Sequence, residues 1–197
     1  LLGLSGGIDS ALTLAIANDI FDSENIEAIL LPSIFTSDLS IQLAKEQCEF
    51  LNINYSLISI ENINETISES LEQRFDGLSK DITEENIQAR ARGLILMSIS
   101  NKTGKILLTT GNKSELAVGY STLYGDMAGS FAPLKDVYKT DVYNLARYRN
   151  SISRAIPDAV IDRMPTAELA QDQYDIDTLP QYDLSLIHIS EPTRPSQ

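Results

Sequence analysis

One cysteine, Cys48, stands among 197 residues, which excludes an internal disulfide framework and fits a reducing compartment. It falls at helical spacing in QLAKEQCEFL, the setting of a packed, inert thiol. No apolar run approaches the ~20 residues of a membrane span, and no signal-peptide pattern is present. A cytoplasmic chain without a membrane partner is therefore expected. Basic residues are scarce: 15 Lys and Arg face 28 Asp and Glu, a net charge of −13. Binding to DNA or RNA rests on Lys and Arg neutralising phosphates, so a nucleic-acid partner is excluded as well. Any phosphorylated ligand must be held by local donors, a few placed cations or a metal. Internal repeats are also missing. What remains is globular in composition, 43% hydrophobic and 22% charged, and long enough for one domain with a sizeable core.

Apolar strand-like runs alternate with helical periodicity along the chain. LLGL is expected to be the end of a buried strand, so that the chain begins inside its first strand. Asp9 to Phe21 has helical spacing, Glu27 to Leu31 is a second strand stopped by Pro32, and Ser37 or Asp38 caps a helix reaching about Leu51. NYSLISI is the third strand, ETISESLEQRF a helical stretch, and Glu84 to Asn101 a long helix that Gly104 ends. KILLTT is then a fourth strand, of the short apolar kind typical of a parallel sheet covered on both faces. The alternation predicts an α/β fold with a doubly wound parallel sheet and helices on both faces. Beyond Tyr120 the segment STLYGDMAGSFAPLKDVYKT has no long periodic element until a helix from Thr140 to Arg149, the mark of a functional or disordered loop.

In a doubly wound sheet, ligands bind beyond the carboxyl ends of the strands. SGGIDS (Ser5 to Ser10), LPS and TTGNKSE all fall at such ends. Paired glycines bring backbone N–H groups close to a ligand, and the following helix adds its positive end. The loop lacks the lysine of the common phosphate loop and carries Asp9 instead. That carboxylate makes sense if Mg²⁺ bridges it to phosphates; a plain Gly-Gly turn with a capping aspartate is the alternative. Thr110, Lys113 and Glu115 offer a hydroxyl, a cation and a second carboxylate, or simply a helix start capped by Asn112 or Ser114. ENIQARAR supplies Asn86, Arg90 and Arg92, with Asn86 and Arg90 sharing a helix face suited to a nucleotide or to solvent. Asp126 in YGDMAG, Lys139 in YKT and Thr166 in PTAEL complete the polar candidates, none of them persuasive singly.

Together, SGGIDS, ENIQARAR, TTGNKSELAVGYSTLYGDMAG, PLKDVYKT and RMPTAEL resemble the NAD⁺ synthetases, of the glutamine-dependent type, within the N-type ATP pyrophosphatases. The resemblance runs from Leu1 to about Asp183. It implies the adenine-nucleotide alpha-hydrolase-like fold, a homodimer, and conversion of deamido-NAD⁺ to NAD⁺: ATP adenylylates the nicotinate carboxylate, pyrophosphate leaves, and ammonia displaces AMP. By matching motif, Ser5, Gly6, Gly7, Asp9, Ser10, Thr110, Lys139 and Thr166 would contact ATP, and Asp9 and Glu115 would hold Mg²⁺. Asn86, Arg90, Glu115 and Asp126 would face deamido-NAD⁺, with Asp9, Asp126 and Lys139 closest to the chemistry. Many relatives of this motif type carry an amino-terminal glutaminase domain with a Cys-Glu-Lys triad, which these residues do not supply. The chain is thus expected either to use free ammonia or to be the synthetase half of a longer protein.

Two other readings compete. One is another enzyme of the SGGxDS group, such as an ammonia-using synthetase with a different acyl acceptor. The other is a nucleotide-binding fragment without catalysis, which would have little reason to keep both Asp9 and Glu115. Residues 1–183 are expected to form one domain truncated at both ends. Residues 184–197 (LSLIHISEPTRPSQ, with the sole histidine, His188) depart from the preceding texture and are expected to be a non-native tail.

Overall fold

The computed structural model describes residues 1–164, 166 and 168–170. The expected tail at 184–197 and the last residues of the expected domain lie outside these. Three parallel strands, β1 (Leu2–Gly3), β2 (Glu27–Leu30) and β3 (Asn54–Leu57), pair in that order. Between them run α1 (Ile8–Ile20) and α2 (Asp38–Leu51); α3 (Glu61–Phe75), α4 (Ile82–Thr103), α5 (Lys113–Val118), α6 (Lys139–Ile152) and α7 (Asp158–Asp162) follow. Among the described residues no helix is long and apolar enough to cross a membrane.

KILLTT is present but is not the regular strand that its composition suggests. Leu108 alone makes a parallel bridge to Leu2 on one side and to Phe131 on the other. Backbone bonds from Leu108 N to Leu1 O and from Thr109 N to Phe131 O, both 2.9 Å, hold this segment in the sheet. The order across the sheet is therefore Phe131, Leu108, β1, β2, β3. It reverses direction beside β1, the place where doubly wound sheets open a ligand crevice. β3 is likewise shorter than NYSLISI implied: Ile58 and Ile60 still donate to the carbonyls of Leu30 and Pro32, but Pro32 has no N–H to donate back, and the regular ladder stops there.

Both faces of the sheet are covered. Ala28 and Leu30 join Leu14, Ala44 and Cys48 in the core under α1 and α2, whereas Ile29 and Leu31 pack with Leu107 and Ala91 under α4. Alternate residues of one strand thus serve two cores, which is why the strands are apolar throughout. A third cluster packs α1 against α6 and α7, so α1 is buried on nearly all sides and its sequence is apolar all round.

Local signals set the helix ends. Ser37 caps α2, its side chain accepting from Ser40 N, and Gly104 ends α4 in the left-handed region at φ 73°. α4 starts two residues before the expected Glu84, because Asp81 and Glu84 form a reciprocal capping box.

Candidate functional site

The rim at the carboxyl ends of the strands opens into a cavity of about 480 Å³, within the range of small-ligand sites. Ser5, Gly7, Asp9 and Ser10 line it from the glycine loop, Thr110 and Glu115 from the segment after Leu108, and Asn86 and Asp126 from the far side.

The glycine loop is held by its own hydroxyls. Ser5 Oγ and Ser10 Oγ lie 3.0 Å apart, Gly7 N donates to Ser5 Oγ at 3.2 Å, and Ser5 N donates to Ser10 Oγ at 3.2 Å. Gly6 adopts φ 81°, a left-handed conformation open to glycine, and sits against the start of α2. Gly7 occupies the N-cap of α1 without a side-chain cap, so the first-turn N–H groups and the positive helix end face the rim.

Asp9, in the first turn of α1, meets two partners from distant segments. Its Oδ1 accepts from Asn112 Nδ2 at 2.9 Å, and its Oδ2 pairs with Lys139 Nζ. The same ammonium lies 3.2 Å from Glu115 Oε1. Asn112 is fully buried and works at both ends: its Oδ1 caps α5 by accepting from Glu115 N at 3.1 Å, while its amide nitrogen fixes Asp9. The capping and functional readings of TTGNKSE therefore coexist in one side chain. Lys139 is 3% exposed and is the first residue of α6, a place where the helix dipole disfavours a cation. Its backbone N donates to Ser114 Oγ at 3.0 Å, and the two carboxylates offset the dipole. Burial, and then the charge of Asp9, push the Glu115 carboxyl up to about 7, with Lys139 pulling the other way.

Asp9 and Glu115 are two carboxylates that meet at the Lys139 ammonium. Mg²⁺ is commonly held by one or two carboxylates, with phosphate oxygens and water completing the shell. Among the described residues no larger cluster of His, Cys, Asp and Glu competes for a metal.

Across the cavity, α4 and the loop after Tyr120 close on each other. A Cβ on Gly93 would stand 2.8 Å from Gly125 O, so the approach requires glycine there. Thr122 joins the two sides: its hydroxyl donates to Asn86 Oδ1 and its N–H to Asp126 Oδ1, both at 2.7 Å. Burial raises the Asp126 carboxyl above its ordinary value, and hydrogen bonds from Thr122 and neighbouring N–H groups oppose this. Arg90 does not reach the cavity; its Nε donates to Leu123 O at 3.3 Å on the exposed face.

Thr166 lines the cavity, and its Oγ1 accepts from Glu168 N at 3.2 Å. Glu168 Oε1 accepts from Ser40 Oγ (2.7 Å), Ser37 Oγ (2.8 Å) and Arg163 Nη2 (3.1 Å), tying this segment to the start of α2. Sequence reasoning passed over Glu168, inside PTAEL, and Arg163, two residues before it, and it placed no role on Arg92. Its only sight of Asn112 was as a cap.

The fold and rim define a doubly wound α/β protein whose glycine loop, two carboxylates and buried lysine meet at the point where strand order reverses. A family profile described as NAD synthase matches residues 1–188, and the chain belongs to that family. The glutamine-dependent NAD(+) synthetase of Xanthomonas campestris pv. campestris is 55% identical over 185 residues, which are 93% of this chain and 34% of that relative. A glutamine-dependent NAD+ synthetase from Acinetobacter baumannii, solved with ADP, superposes with TM-score 0.81 at 49% identity, covering 93% of this chain and 32% of that one. An NMN synthetase from Francisella tularensis gives TM-score 0.84 at 29% identity, over 98% and 78%. The chain spans about a third of the length of the curated relatives it matches.

Proposed function

We propose that this chain carries the ATP-dependent amidation of deamido-NAD⁺ to NAD⁺. The nicotinate carboxylate oxygen bonds to the α-phosphorus of ATP, the bond from that phosphorus to the bridging oxygen breaks, and pyrophosphate leaves. Ammonia nitrogen then adds to the acyl carbon, and AMP departs as a proton is lost. The observation that carries this reading is the ammonium of Lys139 shared by Asp9 of the glycine loop and Glu115 of the opposite segment. No protein nucleophile is needed, since both steps ask for positioning and charge neutralisation.

Ser5, Gly6, Gly7 and Ser10 receive the departing pyrophosphate through loop donors and the α1 terminus. Lys139, Thr110 and Thr166 hold the rest of the triphosphate. Asp9 and Glu115 would hold Mg²⁺, which would supply positive charge against the phosphates. Asn86 and Asp126, braced by Thr122, face the acceptor dinucleotide, and Glu115 borders both ligands. Arg90 serves the acceptor only at the outer edge, where α4 meets the loop and Leu94, Leu123 and Tyr124 are exposed. That apolar face supports a homodimer. Residues 1–183 are the catalytic domain in this reading, cytoplasmic, with ammonia free or delivered by a glutaminase region of a longer protein.

The test is an assay with ATP, Mg²⁺, deamido-NAD⁺ and ammonium that follows pyrophosphate and NAD⁺. Pyrophosphate release that depends on deamido-NAD⁺ supports the assignment; release at the same rate without it overturns the assignment. Asp9→Asn should lower that release by about 100-fold or more, the scale of losing a transition-state charge contact, while the chain still folds, with a lower melting temperature from the broken Lys139 pair.

A further inference from the structure

Among the described residues three cations line the cavity: Lys139, Arg163 and Arg92. Two have carboxylate partners, Lys139 in Asp9 and Glu115, and Arg163 in Glu168 at 3.1 Å. Arg92 is different. Its Nε donates to Leu31 O at 3.0 Å, just past the end of β2, and it makes no ion pair among the described residues. Glu168 is near enough to influence it, yet the oxygens of Glu168 are spent on Ser37, Ser40 and Arg163.

A guanidinium is a planar fork of five donors. With Nε anchored on a backbone carbonyl, the fork of Arg92 is fixed in direction, and among the described residues its terminal nitrogens pair with no carboxylate. The side chain is also partly desolvated: burial pulls it down to about 10, still fully charged at neutral pH. Glu168 acts on this partly desolvated charge only at a distance, so an anion reaching the terminal nitrogens would meet a cation that no carboxylate pairs directly. The neighbouring α4 residue Leu96 lies 3.1 Å from where a Cβ on Gly3 would be, so this part of α4 stands over the end of β1, from which the glycine loop springs. Arg92 therefore approaches the rim from the α4 side, opposite the α1 side that carries Asp9.

We propose that Arg92 is a phosphate-binding residue of the nucleotide site, gripping an anionic oxygen of the bound nucleotide from the wall facing the glycine loop. It deepens the nucleotide reading of the cavity and rests on it. The phosphates are then held between two walls, backbone donors and the Asp9 side on one, a fixed guanidinium on the other. The role differs from that of Arg90, two residues away, which points outside the cavity.

The test uses the 197-residue chain and two probes, ADP and adenosine, with binding measured calorimetrically. Arg92→Gln should weaken ADP at least about tenfold, within the range for losing a charged hydrogen bond, while adenosine binding is unchanged. Added guanidinium at low millimolar concentration should restore ADP binding to Arg92→Ala but not to the parent chain. Unchanged ADP affinity in Arg92→Gln overturns the proposal, as does equal weakening of ADP and adenosine, which would mark a structural role. The outcome is independent of the acceptor: pyrophosphate release without deamido-NAD⁺ would remove the synthetase reading and leave the ADP result standing.

Discussion

A Cβ placed on Gly6 would lie 2.3 Å from the carbonyl oxygen of Ser40, and the φ of Gly6 is 81°. The glycine loop is thereby locked against the first turn of α2, the turn that also receives Glu168.

Gly6→Ala is accordingly expected to fail twice, through the left-handed backbone and through a collision with backbone that cannot swing aside. A loss of about 2 kcal/mol or more is the expected scale for such strain. Chemical denaturation of the variant measures it, and nucleotide binding should vanish even where the fold survives. Gly7→Ala, whose Cβ would meet only Ser5 Oγ at 3.3 Å, should be far milder and is the matched control.

Lys139→Met keeps the volume and removes the charge that Asp9 and Glu115 share. Two partly buried carboxylates would then face each other without a cation, a change expected to cost about 3 kcal/mol. Thermal unfolding should show the loss, and pyrophosphate release should drop with it. Lys139→Met combined with Asp9→Asn should recover part of the melting temperature but none of the activity. No recovery would mean that the two side chains do not interact as described.

Cys48 supplies the pH prediction. Burial, with a smaller contribution from Glu49, pushes its thiol up to about 12. A raised value in the fold means that the thiol's contribution is fully present below the ordinary thiol range and is lost as pH rises toward 12. Stability should therefore decline above about pH 9, and Cys48→Ala should flatten that decline. At neutral pH the folded thiol should resist alkylation, since the thiolate is the reactive species. Fast labelling of the native protein would contradict the packing.

Much of this was legible beforehand because it is written in local chemistry. Helical spacing, Ser37 and Gly104 placed α2 and the end of α4, and the loops after three apolar runs located the rim. Other features depend on distant partners. Leu108 bridges two neighbours singly, which depends on how Leu2 and Phe131 arrive and not on the composition of KILLTT. Arg90 and Arg92 are separated by about 200° around a helix, so periodicity shows that they diverge without showing which one turns inward. Asn112 looks like any cap until Asp9 comes within reach of its other end. The segment around Glu168 has no periodicity at all, and its purchase on Ser37 and Ser40 spans 131 and 128 residues.

Asp9 is joined to Asn112 across 103 positions and to Lys139 across 130. Contacts of such separation form late, after the intervening loops have been closed against their entropy. A chain emerging during synthesis would thus present its glycine loop early, as a bare turn without ion pairs. Only when residue 139 has joined the fold do the acidic groups of the rim acquire their shared cation. Competence at this site is a certificate of complete folding, and nucleotide added to a refolding reaction should bind in step with the slowest phase.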